Sequence, residues 1–187
     1  MNKGKIIYLN GVSSSGKSTL AKALQDYFPE AYYLFSVDAF MHMSPAKCFK
    51  SDKDEDEDVW LDAIINMYHT IKMYSDKGYN VIVDDVFDGE DYLLNKCLKI
   101  LWESPVTFVH VTCPVEALNR REKERGDREI GLAESQLSEL YPLDNTYDVT
   151  VDTHLESLQQ CCEKISDGLN SQHSRAFSVL YGKLANS

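Results

Sequence analysis

Long apolar runs are missing from this chain. No span of ~18 apolar residues occurs in its 187, which excludes a membrane-crossing helix. The apolar stretch after Met1-Asn2-Lys3-Gly4-Lys5 is too short for a signal peptide's core, and a soluble cytoplasmic protein is expected. Positive charge is scarce. Lysine and arginine number 19 against 30 acidic residues, a formal net charge of −11, so nucleic acid and membrane surfaces, both polyanionic, are excluded as general partners. A highly charged phosphate ligand would need a local positive patch. The five cysteines, Cys48, Cys97, Cys113, Cys161 and Cys162, are odd in number and lack CxxC spacing, which leaves neither a disulfide framework nor a zinc site. The five histidines show no metal-ligand spacing, and His110, inside an apolar strand, reads as a core residue. No internal repeat and no Pro/Gly/Ser linker interrupts the chain. At 43% hydrophobic, residues 1–187 are expected to form one domain.

Short apolar, β-branched runs are present, at Lys5–Asn10, Tyr32–Val37, Asn80–Val83, Val106–Thr112 and Tyr147–Val151. They alternate with helical periodicity at Lys17–Tyr27, Val59–Lys77, Glu90–Trp102, Val115–Arg125, Leu132–Leu140 and Leu155–Leu169. Such alternation predicts an α/β fold, a five-stranded parallel sheet sandwiched by helices. In such sheets ligands gather beyond the carboxyl ends of the strands. A short helix around Phe177–Leu184 is expected in the tail, about 170–187, with no readable role.

Gly11-Val12-Ser13-Ser14-Ser15-Gly16-Lys17-Ser18-Thr19 fits G-x-x-x-x-G-K-[ST], after a strand and before a helix. Successive N–H groups of such a loop point inward at phosphate oxygens, and the helix adds the positive end of its dipole. Side chains would crowd the turn, hence Gly11 and Gly16. Lys17 is expected along the β- and γ-phosphates, the Ser18 hydroxyl on Mg²⁺ and Thr19 at the α-phosphate.

Asp38, ending the second strand, has two readings: a base for an acceptor hydroxyl, or the N-cap of the helix that follows. Asp84-Asp85 closes the strand Val81-Ile82-Val83 in the manner of a Walker B segment. Neighbours on a strand face opposite ways, so one carboxylate serves the metal, with Asp84 the candidate, while the other caps, pairs or meets substrate. Arg120, Arg121, Arg125 and Arg128 form the densest positive charge. Arg121 is a candidate for the nucleotide, Arg125 and Arg128 for the transferring phosphoryl group; the competing reading is an exposed helix with Glu–Arg pairs. The acidic run Ser51–Asp58 reads as a solvated loop whose last acids favour the next helix's N-terminus.

With these pieces the chain resembles the chloramphenicol phosphotransferase family of P-loop kinases. The likeness runs in order through LNGVSSSGKST, FSVDAF, VIVDDVF, RREKERGDREIGLAESQ and NTYDVTVDTHLES, from about Lys5 to about Gly168. The resemblance implies a P-loop NTPase fold with a small helical lid at about 120–140. It implies ATP as donor, a small-molecule hydroxyl as acceptor, Asp38 as general base, Lys17 and Ser18 with Mg²⁺ at the phosphates, and Arg128 on the lid. The acceptor's identity and any homo-oligomer are left open. A nucleotide-dependent binding module with slow hydrolysis is the competing class. No NKxD-type guanine-reading segment is present, which favours ATP.

Overall fold

A computed structural model of the chain describes residues 2–45, 55–87, 91–125, 131–140, 146–170 and 176–185. Five strands, β1 (Ile6–Asn10), β2 (Tyr32–Ser36), β3 (Asn80–Asp85), β4 (Val106–Thr112) and β5 (Val149–Asp152), pair in parallel in the order β2-β3-β1-β4-β5. The eight helices of the described residues are α1 (Lys17–Tyr27), α2 (Val37–Met41), α3 (Glu55–Asp76), α4 (Asp91–Leu101), α5 (Val115–Arg125), α6 (Leu132–Glu139), α7 (Leu158–Asn170) and α8 (Ala176–Ala185).

β1 lies in the middle, and all five of its residues are buried. A parallel strand covered on both faces reads as an unbroken apolar run, which is why Ile6-Ile7-Tyr8-Leu9 shows no alternation. The pleat still sorts its side chains. Ile6 and Tyr8 join Val81, Val83 and Phe108 beneath α3, α4 and α8, while Ile7 and Leu9 join Ile82, Val109 and Val111 beneath α1 and α7. From β1 the chain moves to β2 and β3 on one side, then crosses to β4 and β5 on the other. The crevice at that switch of direction lies beyond the carboxyl end of β1, where ligands of such sheets gather.

Most element boundaries agree with the sequence reading to within two residues. α3 starts at Glu55, four residues before the expected Val59, so the end of the acidic run belongs to a helix rather than a loop. Acidic side chains favour a helix N-terminus, where they meet the positive end of the dipole. α7 starts three residues late. Asp152 Oδ1 accepts from His154 N at 2.8 Å and Leu155 N at 3.0 Å, bending the chain into a turn. Ser157 and Gln160 then form a capping box: Ser157 Oγ accepts from Gln160 N at 3.2 Å and Gln160 Oε1 accepts from Ser157 N at 2.8 Å. The tail helix α8 completes the core, because Phe177 packs edge-on against Phe108, ring centroids 5.1 Å apart, and lies 5.7 Å from Tyr8. Cys97, Cys113, Cys161 and Cys162 are free and buried. Among the described residues no helix is long and apolar enough to cross a membrane.

The start of β1 is tied to the end of α3. Gly4 N donates to Ser75 O at 2.8 Å and Ser75 Oγ donates to Gly4 O at 2.7 Å. A Cβ on Gly4 would lie 2.0 Å from the Tyr79 carbonyl oxygen, which is backbone and cannot swing away. Gly4→Ala is therefore expected to destabilise the fold by about 1–3 kcal/mol, the usual cost of forced overpacking. Urea denaturation checks this, and an unchanged midpoint would show that the Tyr79 backbone yields freely.

Candidate active site

The loop Gly11–Thr19 leaves β1 and enters α1 through backbone that only part of the residue alphabet tolerates. Gly16 has φ +98°, and a Cβ there would meet the Thr153 side chain at 3.0–3.3 Å; one on Gly11 would lie 2.3 Å from the Val111 carbonyl oxygen. Ser14, with φ 59°, takes up the left-handed turn between them. Inside the loop, Lys17 Nζ donates to Gly11 O at 2.7 Å and Val12 O at 3.0 Å. Ser14 Oγ and Ser15 Oγ are buried with no protein partner.

The loop opens onto a cavity of about 580 Å³ whose opposite wall carries Ser36–Asp38 and Asp84–Val86. Asp84, at the end of β3, accepts from Ser18 Oγ at 2.6 Å and lies 4.0 Å from Lys17 Nζ. Asp38 lies on the first turn of α2 and lines the same cavity. Its reading as the helix cap is corrected: the cap is Ser36, whose Oγ accepts from Ala39 N at 3.2 Å, and a cap sits one residue before the helix, not within it. Phe35 and Phe40 pack with Tyr74 against the core.

Asp85 points the other way, as the pleat requires. It is 4% exposed and accepts from the hydroxyls of Tyr8 and Tyr68 and from Val86 N. Burial pushes its carboxyl up to about 6 against the opposing pull of those donors and of Lys17. Burial, and next the charge of Asp85, pushes the Tyr8 hydroxyl well above its ordinary value, and the same holds for Tyr68.

Arg121 anchors α5 to the loop rather than reaching into open solvent. Its Nη1 donates to Thr153 Oγ1 at 3.0 Å and Ser14 O at 3.3 Å, and its Nη2 to Thr153 O at 3.0 Å. Arg120 is exposed and does not line the cavity. Arg128 and the side chain of Arg125 lie outside the described residues. So do residues 51–54 of the acidic run, the side chains of 55–58 and the stretch 126–130.

For Mg²⁺ the donor set is a hydroxyl and a carboxylate already in contact, Ser18 with Asp84. That suits a cation which keeps several waters and takes one or two carboxylates plus phosphate oxygens. For nucleotide phosphates the fit is the loop itself, with Lys17 inside it and two buried serine hydroxyls that have no protein partner.

The sequence pattern of the chloramphenicol phosphotransferase-like protein family matches residues 4–170. The chain belongs to that family. A Mycobacterium tuberculosis H37Rv protein named, by inference, as an O-phosphotransferase is 30% identical over 188 residues, covering 89% of this chain and 83% of its own. Among solved structures, the Mycobacterium tuberculosis APS kinase CysC in complex with AMPPNP and APS superposes with a TM-score of 0.69 at 17% identity, covering 91% of this chain and 100% of that one. A gluconokinase from Sinorhizobium meliloti 1021 superposes with a TM-score of 0.62 at 21% identity, covering 98% and 99%. The fold is that of the P-loop kinases, and this family member is a phosphotransferase of the small-molecule kinase type.

The sequence reading missed residues that frame the family's loop here. Thr153 follows β5 directly, so the rule that ligands gather after strands could have found it. Its Oγ1 donates to Ser15 O at 2.5 Å. Glu122, fully buried, and Gln136, 9% exposed, lie within the lid segment RREKERGDREIGLAESQ but were not singled out there. His110, read as a core residue, is half-buried, and its ring stacks on Tyr147 at 4.4 Å; burial lowers its pKa.

The Asp85 carboxyl gives a pH prediction with a definite sign. Its folded pKa, about 6, exceeds the unfolded value of 3.8, so the folded state holds the proton more tightly. Stability from this group is full below about pH 4 and falls as pH rises to about 6. Asp85→Asn lacks that dependence. The difference in Tm, variant minus wild type, is expected to increase between pH 4 and pH 7; thermal melts across that range check it, and a difference that stays flat or shrinks would contradict the assignment.

Proposed function

We propose that the protein transfers the γ-phosphoryl group of ATP, with Mg²⁺, to a hydroxyl of a small molecule in the cytoplasm. The observation that carries this reading is the convergence on one cavity of Lys17 and Ser18 from the loop, Asp84 from β3 and Asp38 from α2.

In this reading the loop amides and Lys17 hold the nucleotide phosphates, and Ser18 and Asp84 hold the metal. Bound Mg²⁺ supplies charge neutralisation on the phosphate oxygens. Asp38 accepts the acceptor hydroxyl's proton as that oxygen forms its bond to the γ-phosphorus, while the bond from phosphorus to the β–γ bridging oxygen breaks and ADP leaves. Lys17 offsets the negative charge that the leaving phosphate gains. Asp85, turned into the core, is withdrawn from that chemistry. Arg121 lines the nucleotide side of the cavity, and Arg125 and Arg128 are proposed to stabilise charge on the phosphoryl group in transit.

The charge pattern bears on the acceptor. All five arginines, Arg120, Arg121, Arg125, Arg128 and Arg175, lie at or beyond position 120, whereas β2, α2, α3 and β3 precede it. Arginine is the side chain whose fork matches carboxylate, sulfate and phosphate. An acceptor without an anionic group is the one this distribution favours.

The deciding measurement is ADP release from Mg·ATP against a panel of hydroxyl compounds, with wild type and Asp38→Asn. The variant is expected to lose acceptor-stimulated turnover by ~10²–10⁴ while still binding ATP. Slow release that no acceptor stimulates, and that Asp38→Asn leaves unchanged, would replace the kinase with a nucleotide-dependent binding module.

A further inference from the structure

Three successive residues of the phosphate loop are each held by a different element. Ser13 N donates to Gln136 Oε1 at 2.8 Å, Arg121 donates to Ser14 O at 3.3 Å, and Thr153 Oγ1 donates to Ser15 O at 2.5 Å. Of these three side chains Gln136 is the one that takes a loop N–H, and N–H groups are what such a loop offers to phosphate. The peptide unit concerned joins Val12 to Ser13. Its other end, Val12 O, accepts from Lys17 Nζ at 3.0 Å and from Ser15 N at 3.3 Å. Because a peptide unit is a rigid plane, fixing the Ser13 N–H on one side fixes the Val12 carbonyl on the other. Gln136 thus orients the carbonyl that receives the Lys17 ammonium.

Gln136 is itself firmly placed. It is 9% exposed on α6, and the first turn of α6 is held by Glu122 of α5. The two carboxylate oxygens of Glu122 accept from Gly131 N at 2.9 Å and Ala133 N at 2.8 Å. Glu122 is fully buried and adjoins Arg121, which grips Ser14. A buried carboxylate remains in place only while its donors do, so α5 and α6 carry the Gln136 carbonyl to the loop as one piece.

We propose that Gln136 is a positioning residue for nucleotide binding, acting on Lys17 through the Val12–Ser13 peptide. This rests on the reading of Gly11–Thr19 as a nucleotide phosphate cradle. Without the Gln136 carbonyl the peptide turns more freely, and Lys17 loses one of the two carbonyls that aim it.

The test is a titration of Mg·ATP carrying a fluorescent ribose label into wild type, Gln136→Leu, Lys17→Ala and the Gln136→Leu/Lys17→Ala double variant, with Tm followed in parallel. Gln136→Leu is expected to raise Kd about tenfold, the scale of one lost hydrogen bond. In the Lys17→Ala background, Gln136→Leu should change Kd less than twofold, because residues acting through one another are not additive. A Kd for Gln136→Leu within twofold of wild type, with or without a fall in Tm, overturns the proposal. So does the same tenfold factor in both backgrounds. Wild type that binds no nucleotide would overturn the kinase reading, and this inference with it, whereas equal binding by wild type and variants removes only the role of Gln136.

Discussion

Parallel pairing of β1 with β3, with Leu9 opposite Asp84 and Asn10 opposite Asp85, is the constraint on which the site depends. Parallel strands present their carboxyl ends at one edge, so the loop leaving β1 and the carboxylates ending β3 must share a border. A slip of one residue would exchange the faces of Asp84 and Asp85. Asp85 would then meet Ser18, and Asp84 would enter a core of Tyr8, Phe87 and Phe108. The apolar faces on both sides of the sheet oppose such a slip, since the buried Val81, Ile82 and Val83 of β3 would change faces with it. The position of the carboxylate proposed to hold the metal is thus maintained by hydrophobic burial several residues away.

The same pleat imposes a cost. It turns Asp85 into the interior, where an ionised carboxylate is unfavourable, and two tyrosine hydroxyls and a backbone N–H offset that cost. Tyr8 comes from β1 and Tyr68 from α3, so the offset also links the sheet to the long helix. Nearby, Asn10 performs a similar office without charge: its Oδ1 accepts from Phe87 N at 2.9 Å and its Nδ2 donates to the Tyr147 hydroxyl at 2.8 Å. The carboxyl ends of β1 and β3, and the segments that leave them, are held by side-chain bonds where ladder bonds stop.

What could be read from the sequence divides along a physical line. Features within a short window were legible: the phosphate loop, the apolar strands, the amphipathic helices, and the opposed faces of Asp84 and Asp85. Features set by distant partners were not. Nothing about Glu122 in the run RREKER distinguishes it from Glu124, yet one is fully buried against α6 and the other is exposed. Gln136 looks like any polar helix residue until the loop lies beside it. Asp38 could be base or cap because Asp suits both; the nearby Ser36 hydroxyl, which decides against the cap, required the local backbone. Two signals were present and overlooked, the capping box Ser157–Gln160 and Thr153 directly after β5. The role proposed for Arg125 and Arg128 rests on the basic cluster in the sequence and, for Arg128, on the likeness of the lid segment as well.

An acidic chain that binds a polyanion must gather its few positive groups and immobilise them. Lys17 is 11% exposed and bonded to two carbonyls of its own loop. Arg121 spends three hydrogen bonds on Ser14 and Thr153. A freely moving lysine or arginine would lose rotamer entropy, up to about 2 kcal/mol, when it met a phosphate; these two have already lost much of it during folding. The remaining attraction comes from backbone N–H groups and the dipole of α1, which carry no formal charge and leave the net charge at −11. Affinity for phosphate then depends on the directions of a few peptide planes rather than on the overall field, and that is the property through which a neutral side chain such as Gln136 gains influence over a charged ligand.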